Sequence, residues 1–330
     1  MEAKTLNDLI RSYWLTQAIG VAAELDIADR LTDGPLTAHD LAELCGVQSE
    51  PLYRVLRALA SAAIFREDEA GRFHLTPLAR QLRRDAPGGQ RAFAMFHHRE
   101  FYRAWAGLLE SVRTGQSAFT KEFGQSLFDY LEENPDRGHL FDGAMSGAHD
   151  AETLPMLDAY DFSGFDRIVD VGGGNGSVLS AILDRYAKPQ CVLFDMPDVA
   201  ERAKSNIGAG ESHKGCSFET GSFFDAVPEN ADAYLLRHIV HDWDDDEAVR
   251  ILSNCRRAGS PNARILVVET VIPRDNAPFL GKWRDLSMLV IGGRERTAPE
   301  YERLFQSAGL RVSRIVPTRM EISIVEGVTL

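Results

Sequence analysis

Cysteine and long apolar runs are both scarce in this sequence. The 330 residues include four cysteines, Cys45, Cys191, Cys216 and Cys255, and their spacing matches neither a CxxC pair nor a Cys/His ligand set. This excludes a disulfide framework and a zinc site, and it favours reduced thiols in a cytoplasmic protein. No run approaches the roughly 18 apolar residues of a membrane span, and the first residues lack the apolar stretch of a signal peptide. We therefore expect a cytoplasmic protein with no bound metal and no membrane partner.

Positive charge is also in deficit, because 36 Lys and Arg stand against 49 Asp and Glu, giving a net charge of -13. Nucleic acids and anionic surfaces bind clustered cations, so we expect neither as the main partner. Residues 53–85 are a local exception, with seven arginines against four acids. This segment leaves open a function from another class, that of a DNA-binding regulator.

The length of the chain suits more than one domain, and its patterning changes twice. Residues 1–90 contain short helical patterns and a hairpin with its tip at 69–71, which is typical of a winged helix-turn-helix unit. Residues 91–160 are helical and rich in aromatic side chains. Residues 161–330 alternate strand-like and helical segments, which predicts a parallel, doubly wound α/β sheet of Rossmann-like type, with a hairpin at its end.

A glycine loop follows the first strand of this alternation. In VDVGGGNGS, Asp170 ends the strand and Gly172 and Gly174 lie in the loop before the next helix. Such glycines allow positive φ angles and let a ligand approach the backbone closely. The dinucleotide fingerprint would require glycine at position 177, where the chain has Ser177. Asp170 suits a ligand with an amino group, and Asp195, at the end of the next strand, suits a ribose diol or, alternatively, a helix cap.

Together these features resemble the class I methyltransferases that bind S-adenosylmethionine. Longer stretches resemble the small-molecule O-methyltransferase family, which includes caffeate, flavonoid and acetylserotonin enzymes: VDVGGGNGSVLSAIL, LFDMPDV, LLRHIVHDWDDDEAVRIL and DLSMLVIGGRERTAPEYERLFQSAGL. The resemblance covers nearly the whole chain, including the N-terminal winged-helix unit, which serves as an all-α dimerisation domain in that family. It implies S-adenosylmethionine as cofactor, S-adenosylhomocysteine as product, a homodimer, and methyl transfer to a hydroxyl of a small aromatic metabolite.

The resemblance assigns the general base to His241, in the HDW motif, and two supporting acids to Glu269 and Glu295. A base is needed because a neutral phenol, with a pKa of about 10, is a poor nucleophile at pH 7. A carboxylate on the second ring nitrogen of a histidine fixes its tautomer and raises its basicity. His238 lies in the strand-like run YLLRHIV, so we expect it to be a packed core residue.

The cofactor contacts that the resemblance implies lie at eight positions: Asp170, Gly172, Gly174, Asp195, Ser222, Phe223, Arg237 and Asp242. Ser222 stands where relatives often have an acid that binds the adenine amine, and Arg237 stands where a lysine is frequent. The next acids, Asp244 and Asp245, are expected to cap a helix.

Phe141, Met145 and Met288 match positions of the family's acceptor pocket. Residues 91–160 are expected to be a helical connector that contributes to this pocket, through the segment with Met95, His97, His98, Phe101 and Trp105. They suggest a flat, largely apolar acceptor, and core packing is the alternative for each of them.

Four alternatives stay open beside O-methylation. Enzymes of this fold also methylate nitrogen, or use S-adenosylmethionine without methyl transfer in decarboxylation or hydroxylation, although the complete His241, Glu269 and Glu295 set argues against lost transfer. A DNA-binding regulator would use Arg54 and Arg57, and the negative net charge disfavours it. A dehydrogenase is disfavoured by the glycine spacing.

Overall fold

The computed structural model describes residues 5–186, 188–207 and 215–330. The chain forms two compact units, and each unit is built from two separate segments of the sequence. Unit 1 contains the described residues up to Ala106 together with Phe128–His149, and unit 2 contains Gly107–Leu127 and Asp150–Leu330. The predicted division at residues 90 and 160 stays a prediction.

The described helices vary from single turns to one of 25 residues. The α-helices are α1 (Leu6–Ile10), α2 (Tyr13–Glu24), α3 (Ile27–Arg30), α4 (Ala38–Cys45), α5 (Ser49–Ser61), α6 (Pro77–Arg80), α7 (Arg91–Phe96), α8 (Tyr102–Trp105), α9 (Leu108–Thr114), α10 (Ala118–Phe123), α11 (Leu127–Glu133), α12 (Pro135–Ala159), α13 (Ser177–Arg185), α14 (Pro197–Ile207), α15 (Asp245–Ala258), α16 (Gly281–Ile291) and α17 (Ala298–Ser307). A π-helix covers His97–Phe101 and a 3-10 helix covers Val240–Asp242.

The strands divide into a small set in unit 1 and a large set in unit 2. They are β1 (Leu36–Thr37), β2 (Phe65–Glu67), β3 (Arg72–Leu75), β4 (Arg167–Val171), β5 (Gln190–Asp195), β6 (Cys216–Thr220), β7 (Ala233–Arg237), β8 (Arg264–Ile272), β9 (Arg296–Thr297), β10 (Leu310–Pro317) and β11 (Ile322–Thr329).

Unit 1 contains the winged helix that the sequence predicts. A capping box of Thr37 and Asp40 begins α4, and Gly46, with a φ of 69°, ends it. Helix α5 buries Leu52, Leu56 and Leu59, the spacing of one helical face. The antiparallel strands β2 and β3 form the wing, and β1 pairs with β3 on its other side.

Unit 2 contains a mixed sheet in the order β10-β11-β8-β7-β4-β5-β6, with β9 beside β8. Strands β4 to β8 are parallel, whereas β10 and β11 form the expected antiparallel hairpin at one edge. Alternate residues face opposite sides of the sheet, so Val169 and Leu236 belong to one buried cluster and Ile168 and Leu235 to the other. The α/β fold with an N-terminal helical domain is therefore confirmed.

The sheet has its topological switch point between β4 and β7. Strands β5 and β6 follow β4 outward on one side, and β7 and β8 lie on its other side. Open α/β sheets bind ligands beyond the carboxyl ends of the strands at this point. The glycine loop after β4 and residues 238–242 after β7, which we call the histidine turn, both lie there. The fold thus brings the two sequence motifs together.

Strand β7 ends at Arg237, three residues before the end of the strand-like run YLLRHIV. His238 was expected inside a strand-like run, but it follows the strand and has a φ of 55°. This left-handed conformation turns the chain into the 3-10 helix at Val240–Asp242. Across the described parts of the chain, we find no helix with both the length and the apolar character needed to span a membrane.

Candidate active site

The glycine loop between β4 and α13 is tightly packed against the histidine turn. Gly172 has a φ of 70°, and a Cβ there would lie 2.3 Å from Cδ1 of Ile239. Gly176, with a φ of 78°, is the N-cap of α13, and a Cβ there would lie 2.4 Å from Cδ1 of Ile207. Gly174 has a φ of 55° and open space at its Cβ position. The loop needs glycine at 172 and 176 for both space and backbone conformation.

The loop amides donate to oxygen atoms of the protein itself. The N–H groups of Gly172 and Gly173 donate to the Phe194 carbonyl, and Gly176 donates to Gly173. The Gly174 N–H donates to Oδ2 of Asp195 at 2.9 Å. A pyrophosphate site requires backbone N–H groups directed at the ligand. The internal pairing therefore disfavours a dinucleotide and agrees with the glycine spacing of the sequence.

Asp170 is a buried carboxylate with capacity for one more donor. It is 2% exposed, and no donor in the described part of the chain reaches its Oδ2. Burial raises the pKa of Asp170 to about 7, although the charge of Arg237 lowers it. A cationic amino group would satisfy Oδ2 and restore the ionised form. Asp170, the glycine loop and Asp195 therefore fit a ligand with an amino group and a ribose, as S-adenosylmethionine has.

The histidine turn is built around Glu269 of β8. The N–H groups of Ile239 and His241 both donate to Oε1 of Glu269, at 3.2 and 3.0 Å. The Tyr301 hydroxyl donates to Oε2 of the same carboxylate at 2.5 Å. Glu269 is fully buried. The sequence predicts that Glu269 steers the imidazole, whereas its hydrogen bonds place it against the backbone of the turn.

Glu295 contacts the His241 ring directly. Its Oε1 lies 2.9 Å from Nδ1 of His241, and both side chains are buried. The loop before it requires glycine, because a Cβ on Gly293 would lie 2.2 Å from the His241 carbonyl oxygen. The Glu295 N–H donates to Oδ1 of Asp285 at 2.9 Å, which fixes the loop on α16.

The charges around His241 are mostly negative. Burial lowers the pKa of His241, but the carboxylates of Glu295 and Asp242 outweigh burial and raise the pKa of His241 to about 10. Oδ1 of Asp242 lies 3.5 Å from Nε2 of His241, and burial raises the pKa of Asp242 to about 7. Burial likewise raises the pKa of Glu269. The cluster therefore binds a proton strongly at His241 and favours an incoming positive charge.

The remaining predicted cofactor residues lie near the same edge of the sheet. The Ser222 hydroxyl accepts from the Phe224 N–H at 3.3 Å. The Phe223 ring packs against Phe224 and Trp243, on the side of Gly172. Arg237, at the end of β7, donates to the Thr153 hydroxyl at 2.8 Å.

The predicted acceptor residues lie in unit 1, except for Met288, which lies in unit 2. Met95 is buried in α7, Phe141 packs edge-on against Phe96, and Met145 lies on α12. His98 packs on Gly20, and its Nε2 lies 3.3 Å from Glu24. In unit 2, Met288 lies on α16 and is partly buried.

His97 belongs to the helical segment that the sequence indicates near the acceptor, and its ring lies in an aromatic environment. Its ring lies between those of Phe93 and Phe101, with centroids 3.8 and 4.9 Å away. Burial lowers the pKa of His97 to about 4, so it is neutral. The four-residue spacing of positions 93, 97 and 101 is a helical signal that points to this stack.

The sequence did not point to several buried polar residues of unit 2. Arg296 is fully buried and donates to the carbonyls of Val240 and Trp243 at 2.9 Å and to the carboxylate of Asp245. Glu152 contacts His238, and Tyr301 contacts Glu269. Of the two acids expected to cap the helix, only Asp244 does so, because its Oδ1 accepts from the Glu247 N–H at 2.9 Å. Asp245 pairs with Arg296 instead.

Comparison with known proteins decides the family. Residues 105–311 match the O-methyltransferase domain, and residues 7–85 match the O-methyltransferase dimerisation domain. The chain belongs to the O-methyltransferase family. The cofactor of this O-methyltransferase is S-adenosylmethionine, and its dimerisation domain supports a homodimer. The family, the fold and the cofactor expected from the sequence are thus confirmed.

Three similar proteins span nearly the whole of this O-methyltransferase. A phenazine O-methyltransferase from Lysobacter antibioticus is 43% identical over 322 residues, which are 97% of this chain and 94% of that protein. A phenazine-1-carboxylate N-methyltransferase from Pseudomonas aeruginosa is 32% identical over 97% of this chain and 95% of its own. An O-methyltransferase of neocarzinostatin biosynthesis, solved with S-adenosylmethionine and 2-hydroxy-5-methyl naphthoic acid, has a TM-score of 0.85 and 33% identity and covers 96% of both chains.

Proposed function

We propose that this enzyme transfers a methyl group from S-adenosylmethionine to a hydroxyl of a small aromatic metabolite, with His241 as general base. One observation carries the proposal, the buried contact of 2.9 Å between Nδ1 of His241 and Oε1 of Glu295. A carboxylate only accepts hydrogen bonds, so Nδ1 keeps its hydrogen and Nε2 is the atom that exchanges a proton.

Deprotonation of His241 is the step that the site must control. With its pKa raised to about 10 by Glu295 and Asp242 against the effect of burial, the imidazole of the ligand-free protein carries a second proton at pH 7. When bound, S-adenosylmethionine supplies a methyl group on a positively charged sulfonium. A positive charge in this site disfavours the imidazolium, so we expect cofactor binding to prepare His241 to accept the acceptor's proton. General-base assistance of this kind contributes about 10²–10⁴-fold.

The cofactor site that we propose is made of the chain's own residues. We propose that Asp170 accepts from its amino group and Asp195 from its ribose, while Gly172 and Gly174 let it approach the backbone. Phe223 would flank the adenine, and Ser222, Arg237 and Asp242 would complete the site. These roles rest on the open Oδ2 of Asp170 and on the loop geometry.

The acceptor class follows from the named relatives and the apolar side chains. A phenazine and a hydroxynaphthoic acid appear in the names of two similar proteins, and both are flat and aromatic. We propose that Met95, His98, Phe141, Met145 and Met288 contact such an acceptor, mostly through apolar surface. We also propose that the enzyme works as a homodimer in the cytoplasm, with neither nucleic acid nor membrane as partner, given its net charge of -13.

Nitrogen is the second candidate acceptor atom. The similar Pseudomonas aeruginosa protein is named as an N-methyltransferase. A heteroaromatic nitrogen without a hydrogen has no proton to lose. Turnover of such an acceptor would therefore survive the loss of His241, which makes the two candidates separable.

The test uses methyl-labelled S-adenosylmethionine with a panel of phenols, hydroxynaphthoic acids and phenazines, read by mass spectrometry. Wild type should methylate a hydroxyl, and His241→Ala should lose at least about 100-fold in turnover while binding the cofactor normally by calorimetry. His74→Ala, a change on the wing of unit 1, serves as control. Full hydroxyl methylation by His241→Ala would refute the base assignment, whereas nitrogen-only products would support the second candidate.

A further inference from the structure

A second histidine–glutamate pair lies beside the proposed base. Nε2 of His238 lies 2.7 Å from Oε2 of Glu152, and the two residues are 8% and 4% exposed. The ring centroids of His238 and His241 are 5.2 Å apart, with the planes tilted by 37°. The proposed mechanism uses neither His238 nor Glu152, so the pair requires its own explanation.

His238 has a backbone conformation that non-glycine residues rarely adopt. Its φ of 55° lies in the left-handed region, where a non-glycine residue persists only if the surrounding structure fixes it. Its N–H donates to the Val268 carbonyl at 3.2 Å, and its ring is held by Glu152. The next N–H groups, of Ile239 and His241, are those that reach Glu269. His238 is therefore the point at which the chain leaves β7 for the turn with the base.

The charges around the pair keep its imidazole neutral. Burial lowers the pKa of His238 well below 6.5, and the charges of His241, Arg237 and Arg284 lower it further. A neutral ring bonded to a carboxylate through Nε2 donates from that atom. Nη2 of Arg284 lies 3.7 Å from Oε1 of Glu152, so the carboxylate also has a cationic partner. A neutral His238 neither repels a protonated His241 nor competes with it for the proton.

We propose that His238 and Glu152 form a positioning dyad that holds the turn carrying His241 and thereby keeps its imidazole on Glu295. The inference rests on the proposed base role of His241. Glu152 lies on the part of α12 within unit 2, 86 residues before His238 in the chain. The dyad thus fastens the turn to a helix, in addition to the attachment of the turn to β8 through Glu269.

Two variants separate this role from simple packing. Glu152→Gln retains the shape of the side chain and removes its charge. His238→Asn keeps a residue that tolerates the left-handed conformation but is too short to replace the imidazole. His74→Asn is the matched control, because His74 lies 2.8 Å from the Asp68 carboxylate on the wing of unit 1.

The first readout is the split between turnover and cofactor binding. We expect kcat to fall by about 10- to 100-fold in Glu152→Gln and His238→Asn, the range expected when a catalytic group is slightly misplaced. The Kd for S-adenosylmethionine should stay within about twofold, and His74→Asn should match wild type in both. Unchanged kcat in the two variants would overturn the proposal.

The second readout needs no turnover. In 15N-labelled protein, the Nδ1–H proton of His241, identified as the signal that His241→Ala removes, reports its hydrogen bond to Glu295. We expect this signal to broaden or disappear in both dyad variants and to persist in His74→Asn. Its persistence in the dyad variants would overturn the proposal whatever the activity. Failure of the base assignment would appear separately, as retained turnover in His241→Ala.

Discussion

Replacing Glu295 by glutamine should move the pH dependence of the reaction in a direction that the structure fixes. The carboxylate lies 2.9 Å from Nδ1 of His241 in a buried site and stabilises the protonated ring. Glutamine still accepts a hydrogen bond but removes the charge. Because the protonated form loses its partner, the pKa of His241 should fall, and neutral base should be present at lower pH.

The size of this effect follows from Coulomb's law. Opposite charges about 4 Å apart interact by about 4 kcal/mol at an effective dielectric constant of ~20. At ~1.36 kcal/mol per pH unit this corresponds to at most about 3 units. Asp242 and Glu269 remain in place, so we expect the measured shift to lie between about 1 and 3 units.

The assay is the pH profile of kcat/KM, whose acidic limb reports the free enzyme. The limb should move to lower pH in Glu295→Gln. Glu326→Gln serves as control, because Glu326 is another buried carboxylate of unit 2, bonded to Tyr160 and Ser313 instead of a histidine. An acidic limb that stays in place or moves to higher pH would refute the assigned role of Glu295.

Three further changes test other parts of the site. Asp170→Asn should weaken the binding of S-adenosylmethionine by about tenfold or more in calorimetry, because a carboxylate bonded to an amino group is lost; an unchanged Kd would refute the contact. Gly293→Ala should lower kcat by about 100-fold, since the new Cβ would displace the His241 carbonyl, whereas Gly164→Ala, with open space around it, should match wild type. Asp244→Ala should reduce the free energy of unfolding in urea by about 1 kcal/mol, because it removes the N-cap of α15.

The sequence predicts the parts of this protein that short-range patterns encode. The glycine loop and the HDW motif each indicate where a strand ends. The alternation of strands and helices predicts that β4 and β7 lie in one parallel sheet. Their adjacency, with Ile168 opposite Ala233, then brings Asp170 and His241 to the same edge. The wing and the final hairpin are also predictable from the sequence, because each combines alternating apolar residues with a turn.

The sequence does not predict the direction of side chains whose partners are distant. It indicated Glu269 as a neighbour of His241 but not that the carboxylate would bind backbone N–H groups instead of the ring. It indicated a packed His238, and the residue is buried, but the left-handed turn and the contact with Glu152 depend on a helix 86 residues earlier. The sequence also does not indicate that Arg296 is buried, because its carbonyl partners lie in a distant segment.

The two segments that meet at the proposed base are cross-braced. The Arg294 N–H donates to the His241 carbonyl at 2.7 Å, and Arg296 bonds to Val240, Trp243 and Asp245. Residues 238–245 and 292–297 are therefore two stretches of sequence that hold each other in place through hydrogen bonds. We therefore expect the two stretches to function only as a matched pair when enzymes of this family are recombined. A chimera that exchanges both stretches should retain turnover, whereas exchange of either stretch alone should break the brace and stop it.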